Sequence, residues 1–184
     1  MRTLPKAILT ATLFLTFTIA AQAQTFTLSS SNLGGQATQA EFFNGFGCTG
    51  ENLSPQLSWE HAPEGTKSFA ITMHDVDAPT GSGWWHWLAF DIPTSTTSLA
   101  AGAGSTNPSA MPKGVVQSIT DYGKPGYGGP CPPEGHGFHR YEITLFALGV
   151  ESLGLEASAN PALVGYYIGA NTIQKSSIVF YAKR

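Results

Sequence analysis

Short apolar runs separated by clusters of Gly, Pro, Ser and Asn set the pattern of this chain. Phe26 and Leu28 alternate with Thr25 and Thr27, a period of two that predicts a strand. Leu57-Ser58-Trp59 follows Ser54-Pro55 and reads the same way. Between Ser68 and His74, the residues Phe69, Ile71 and Met73 fall on one face. Trp87 to Ile92 is a nearly unbroken apolar run that stops at Pro93, as expected of a strand covered on both sides. Tyr141, Ile143, Leu145 and Ala147 alternate with Glu142 and Thr144, while Phe146 and Leu148 make the second face apolar too. Ser177 to Ala182 predicts a closing strand. Frequent short strands between turn residues place the chain in the mainly β class, as a sandwich or a barrel.

One segment has a helical period. Asn160 before Pro161 is an N-cap followed by a first-turn proline. Leu163, Val164, Tyr167 and Ile168 then recur as a helical stripe, predicting a helix to about Ile173. Gly165 and Gly169 weaken it as an isolated helix, so it is expected to pack on a sheet, with the two glycines forming a surface of close approach. Pro93 to Gly114, rich in Ser, Thr, Ala and Gly, predicts a long surface loop rather than a domain boundary. Asn52-Leu53-Ser54 matches a glycosylation sequon but reads as an ordinary turn.

The first residues change the picture of compartment. Arg2 and Lys6, an apolar stretch from Ala7 to Ala20, and Ala21-Gln22-Ala23 have the form of a secretory signal peptide. The expected organisation is a leader over residues 1–23 and one domain over residues 24–184, periplasmic or secreted, with no membrane segment once the leader is removed. Losing Arg2 and Lys6 takes the formal charge from -3 to -5. An acidic domain lacks the basic footprint of a nucleic-acid binder and the basic run that holds a protein to an anionic membrane. The cysteines, Cys48 and Cys131, read as one disulfide in an oxidising compartment, with two buried thiols as the alternative.

Candidate chemistry concentrates in two segments. Asp75-Val76-Asp77-Ala78-Pro79 runs on to Gly83-Trp84-Trp85-His86-Trp87, and Gly129-Pro130-Cys131-Pro132-Pro133 runs on to His136, His139, Arg140 and Tyr141. A nucleophilic enzyme needs a base within reach of a Ser or Cys; no G-x-S-x-G occurs, and Cys131 sits between two prolines. His86, His139, Asp75 and Asp77 are ligand types for zinc but lack ligand spacing. A pocket for a small anion fits better. Histidines and the Tyr141 hydroxyl donate to phosphate oxygens, and backbone N–H groups at Gly128-Gly129 complete a nest. Asp75 and Asp77 suit the ammonium of a zwitterion, or else fix a histidine tautomer. Trp84, Trp85 and Trp87 are candidates for an aromatic wall. Arg140 points away from His139 and Tyr141 and is expected in an ion pair.

At these residues the chain resembles the phosphatidylethanolamine-binding protein family, also called Raf kinase inhibitor proteins, and especially its bacterial branch. The resemblance takes in Phe46-Gly47-Cys48, Asn52 to Pro55, Trp59, Pro63, Gly65 to Phe69, Asp75 to Pro79, Gly81 to Pro93 and Tyr122 to Tyr141. Gly129 to Tyr141 fits the family's G-x-x-P-P-x-G-x-x-x-H-R-Y without a gap. The resemblance implies a β-sandwich of two antiparallel sheets with a few short helices, one near the C-terminus. It implies an anion pocket made by Asp75, Ala78, Pro79, Trp84, His86, Cys131, Pro132, His139 and Tyr141, with Asp77 in the same motif and a cis bond before Pro79. Val76 departs from it, since the family usually has proline there. The expectation is an exported, non-catalytic binder of a small phosphate-type anion, zwitterion or phospholipid headgroup, without cofactor or metal. The alternative is an inhibitor or interaction protein that acts through its surface on a protease, kinase or host protein, and a hydrolase ranks third.

Overall fold

The computed structural model describes residues 24–107 and 109–184; the leader expected over residues 1–23 lies outside them. The strands are β1 (Thr27–Ser29), β2 (Asn44–Gly45), β3 (Cys48–Thr49), β4 (Leu57–Glu60), β5 (Ser68–Asp75), β6 (Trp84–Pro93), β7 (Ser98–Leu99), β8 (Val116–Gln117), β9 (His139–Leu148) and β10 (Thr172–Ala182), and one helix, α1 (Pro161–Asn171), precedes β10. A five-stranded antiparallel sheet has the order β10-β9-β5-β6-β8, and a three-stranded antiparallel sheet has the order β1-β4-β7.

The two sheets enclose the main core. Leu28, Leu57, Trp59 and Leu99 of the small sheet pack with Phe69, Ile71, Met73, Trp87, Ile143 and Leu145 of the large one. This is the face that the alternation in β5 and β9 predicts. The other face of the large sheet is apolar too: Ala70, Leu88, Phe90 and Leu148 pack with Val164 and Ile168 of α1. The long central strands are therefore covered on both sides, which explains why the run in β6 does not alternate.

Asn160 caps the helix, its side-chain oxygen accepting from the Leu163 N–H at 2.9 Å. The helix stops at Asn171, before the predicted end, because Thr172 turns extended (φ -73°, ψ 124°) and Ile173 already belongs to β10. Only Val164 and Ile168 of the predicted stripe are buried; Leu163 and Tyr167 are 41% and 37% exposed. A Cβ on Gly165 or Gly169 would meet nothing within 4 Å, so these glycines form no close-approach surface. The segment from Pro93 to Gly114 is less of a surface loop than expected. It contains β7, which pairs Leu99 with Leu57, and it buries Ala103 and Met111.

Cys48 and Cys131 form a disulfide. It ties the β2–β3 hairpin, whose two-residue turn Phe46-Gly47 has positive φ at both positions (52° and 84°), to the chain between Pro130 and Pro132. Among the described residues no helix is long and apolar enough to cross a membrane.

Candidate functional site

Three neighbouring strands present their ends to one cavity. Asp75 closes β5 and stands opposite Trp84 at the start of β6 and Tyr141 near the start of β9. The ladder between β5 and β6 slips here: Met73 pairs with Trp87 and His74 with Trp85, leaving His86 as an extra residue. Such a bulge re-aims a side chain. It turns the His86 ring into the cavity while Trp87 stays in the main core and Trp85, half-buried against the second core, stacks on His74 at 4.1 Å. Of the three tryptophans expected as walls, only Trp84 lines the site.

The cavity encloses about 210 Å³. It brings together Asp75, Ala78, Pro79, Trp84, His86, Cys131, Pro132, His139 and Tyr141. Asp77 stands behind the wall: its N–H donates to Asp75 Oδ1 at 2.9 Å and its Oδ2 accepts from the Arg140 N–H at 2.8 Å. Val76 N–H donates to the Arg140 carbonyl, a bond that proline at this position could not make. Arg140 thus contributes its backbone, and its side chain enters no ion pair among the described residues. The bond before Pro79 is trans, not cis. Thr80 N–H reaches back to the Ala78 carbonyl at 2.7 Å, a three-residue turn that suits the fixed φ of Pro79.

The hydrogen bonds fix where the protons are. His86 Nδ1 lies 2.7 Å from the Gly128 carbonyl, which can only accept, so the ring proton is on Nδ1 and Nε2 is a bare acceptor. His139 Nδ1 donates to Asp75 Oδ2 at 2.8 Å, with both side chains almost fully buried. His139 Nε2 then accepts from His136 Nδ1 at 3.1 Å. The two pocket histidines, expected as donors, therefore have no free proton in their neutral forms. Burial pushes the His86 pKa down to about 4, against the opposing pull of the Gly128 carbonyl and the Asp75 charge.

The Gly128-Gly129 nest is also closed. Gly128 N–H donates to the His86 carbonyl at 2.8 Å and Gly129 N–H to Asn52 Oδ1 at 2.7 Å. Asn52 is thus a clamp rather than a free sequon, its amide also donating to the Tyr127 carbonyl. Gly129 is needed for close approach: a Cβ there would sit 2.0 Å from the Glu41 carbonyl oxygen. Two donors remain. The buried Tyr141 hydroxyl and Trp84 indole N–H have no acceptor in hydrogen-bonding geometry. Burial, the nearby Asp75 charge and the pull of the Asp75 carboxylate on the hydroxyl proton raise the Tyr141 phenol far above its ordinary range, so it stays an O–H donor.

Tyr122 and Phe46 also line the cavity, although neither was singled out for the site. Tyr122 donates to the Gly129 carbonyl at 2.9 Å and packs edge-on to Trp84 and His86. Phe46 reaches the rim because the disulfide holds its hairpin against Cys131, which is the one signal that could have pointed to it. Among the described residues no group of three or more His, Cys, Asp or Glu side chains is placed to hold a metal ion.

Comparison with known proteins gives a consistent picture. The profile of the phosphatidylethanolamine-binding protein family matches residues 30–183. The UPF0098 protein YbcL of Escherichia coli is 43% identical over 175 residues, covering 94% of this chain and 96% of that protein. The UPF0098 protein YbhB of the same organism is 47% identical over 136 residues, covering 74% and 85%. The crystal structure of YbcL, described as a member of the mammalian PEBP family, superposes with a TM-score of 0.84, covering 86% of this chain and 98% of that one.

Proposed function

This chain belongs to the phosphatidylethanolamine-binding protein family, and from that premise we propose that it is an exported, non-catalytic protein that binds a small phosphate-type oxyanion or phosphorylated headgroup. The observation that carries this reading is the meeting of Asp75, His86, His139 and Tyr141 on one small cavity, two of whose lining residues, Tyr141 and Trp84, carry buried donors with no acceptor in hydrogen-bonding geometry. A buried donor left unpaired costs free energy that a ligand oxygen recovers. Binding rather than hydrolysis is supported by the commitments of the bases. His86 holds a carbonyl, His139 holds Asp75 and His136, and the sulfur of Cys131 is oxidised, so among the described residues no Ser, Thr or Cys is hydrogen-bonded to either pocket histidine. Export is supported by the leader pattern at residues 1–23 and by a disulfide that an oxidising compartment sustains.

The test is a titration with inorganic phosphate and phosphoethanolamine, followed by NMR at the imidazoles of His86 and His139. Both signals are expected to shift, and Tyr141→Phe is expected to weaken binding roughly tenfold with the fold intact. Unmoved histidine signals at millimolar ligand reject the reading. A second reading, docking of a protein on the pocket mouth, has one observation in its favour: Phe46 is 72% exposed on the rim. A partner captured equally by the wild type and by a His86→Ala, His139→Ala double variant would show an interaction independent of the pocket.

A further inference from the structure

A fully ionised phosphate offers only lone pairs, and most of what this cavity offers it is also lone pairs. His86 Nε2 is a bare acceptor because its single ring proton is held by the Gly128 carbonyl. His139 donates its Nδ1 hydrogen to Asp75 in one hydrogen bond and accepts another from His136 at Nε2. The Asp75 carboxylate adds a negative charge to the wall. The Tyr141 hydroxyl and the Trp84 indole N–H, on two of the lining residues, are buried donors with no acceptor in hydrogen-bonding geometry. A ligand that complements His86 Nε2 needs a hydrogen to give.

Resting on the reading of the site as an oxyanion pocket, we propose that it selects an oxyanion that still carries a proton, a phosphomonoester monoanion or a protonated inorganic phosphate, and excludes the diester of an intact phospholipid headgroup. The P–OH of such a ligand donates to His86 Nε2, and its other oxygens accept from Tyr141 and Trp84. A dianion would place two lone pairs and twice the charge against His86 and Asp75, and in a site of low dielectric that repulsion is large. A diester has the favourable single charge but no proton, so it leaves His86 Nε2 facing an oxygen lone pair. The groups that face His86 are His74 and Asp75 from β5, His139 and Tyr141 from β9, and Tyr122 from the chain after β8. Burial outweighs them and keeps the ring neutral at the pH where phosphomonoesters titrate, near about 6.

Calorimetry on the mature protein compares methyl phosphate with dimethyl phosphate at about pH 5, where both are largely monoanions. Methyl phosphate is expected to bind at least roughly 30-fold more tightly, and to weaken roughly tenfold per unit from about pH 7 to about pH 8 as its monoanion disappears. Inorganic phosphate, phosphoethanolamine and glycerophosphoethanolamine separate the sources: the first two bind and the last, the headgroup diester of a lipid, does not. The ³¹P shift of bound methyl phosphate at about pH 7 is expected to be that of the protonated species, a readout that needs no variant. His86→Gln, which brings an N–H donor of its own, is expected to admit dimethyl phosphate. Equal binding of the two methyl esters, or methyl phosphate affinity that stays flat or rises with pH, overturns the inference and leaves the oxyanion pocket standing. Failure of every phosphate to bind removes the pocket reading and this inference together.

Discussion

His86 shows how one buried imidazole ties stability to pH. Desolvation holds its pKa at about 4, below its ordinary 6.5. The unfolded chain takes up a proton near pH 6.5, while the native state refuses it until about pH 4. Between those values the unfolded state binds more protons, so stability falls as pH falls. Above about 6.5 the ring is neutral in both states and its contribution is flat. The full loss is on the order of 3 kcal/mol. Urea unfolding of wild type and His86→Gln from about pH 7 to about pH 4.5 is expected to show the wild type losing about 2 kcal/mol more than the variant. Parallel pH profiles would show that the ring is not held neutral. The residue types that meet in the cavity are legible in the two motif segments. The direction of each proton is not, because it is set by partners distant in sequence: Gly128 lies 42 residues from His86, and Asp75 lies 64 from His139.

Helix α1 is the element in which pattern and packing part most clearly. Its cap, its first-turn proline and its docking on the large sheet all follow from sequence, since a capped helix weakened by glycine survives only by tertiary contact. The role of the glycines does not follow, because spacing cannot tell a buried small residue from an exposed one. With nothing within 4 Å of a Cβ at either position, Gly165→Ala and Gly169→Ala are each expected to stabilise the protein by about 0.5–1 kcal/mol through better helix propensity and a less flexible unfolded chain. The rise in the denaturation midpoint is the measurement, and a fall at either position would restore the close-approach reading. The strands divide by the same rule. Those with an apolar core face, β5, β6 and β9, are visible in the pattern. The two-residue strands β2, β3, β7 and β8, and the polar first half of β10, exist through their pairing partners and leave no periodicity of their own.

At the scale of the whole molecule, the disulfide joins global stability to the shape of the pocket. Cys48 and Cys131 are 83 residues apart, so the bond restricts a large part of the unfolded chain. Chain entropy for a loop of that length gives about 4.5 kcal/mol of stabilisation. Locally the bond holds a hairpin with little else to define it. Its strands have two residues each, and its turn sets Phe46 at φ 52°, a region that favours glycine over a bulky side chain. The base of the hairpin has independent anchors: Phe43 N–H donates to the Pro130 carbonyl at 3.0 Å, and its ring stacks on Tyr122 at 4.2 Å. Breaking the bond should therefore free the tip and leave the base in place. The double variant Cys48→Ser, Cys131→Ser is expected to lose about 3–4 kcal/mol in urea unfolding, since release of strain at Phe46 returns part of the entropic gain. The same variant is expected to sharpen the Phe46 backbone NMR signals by fast motion while those of His86 and His139 stay put, because Asp75 and Gly128 still hold both rings. Movement of the histidine signals with an unchanged Phe46 would show that the bond braces the cavity floor and not its rim.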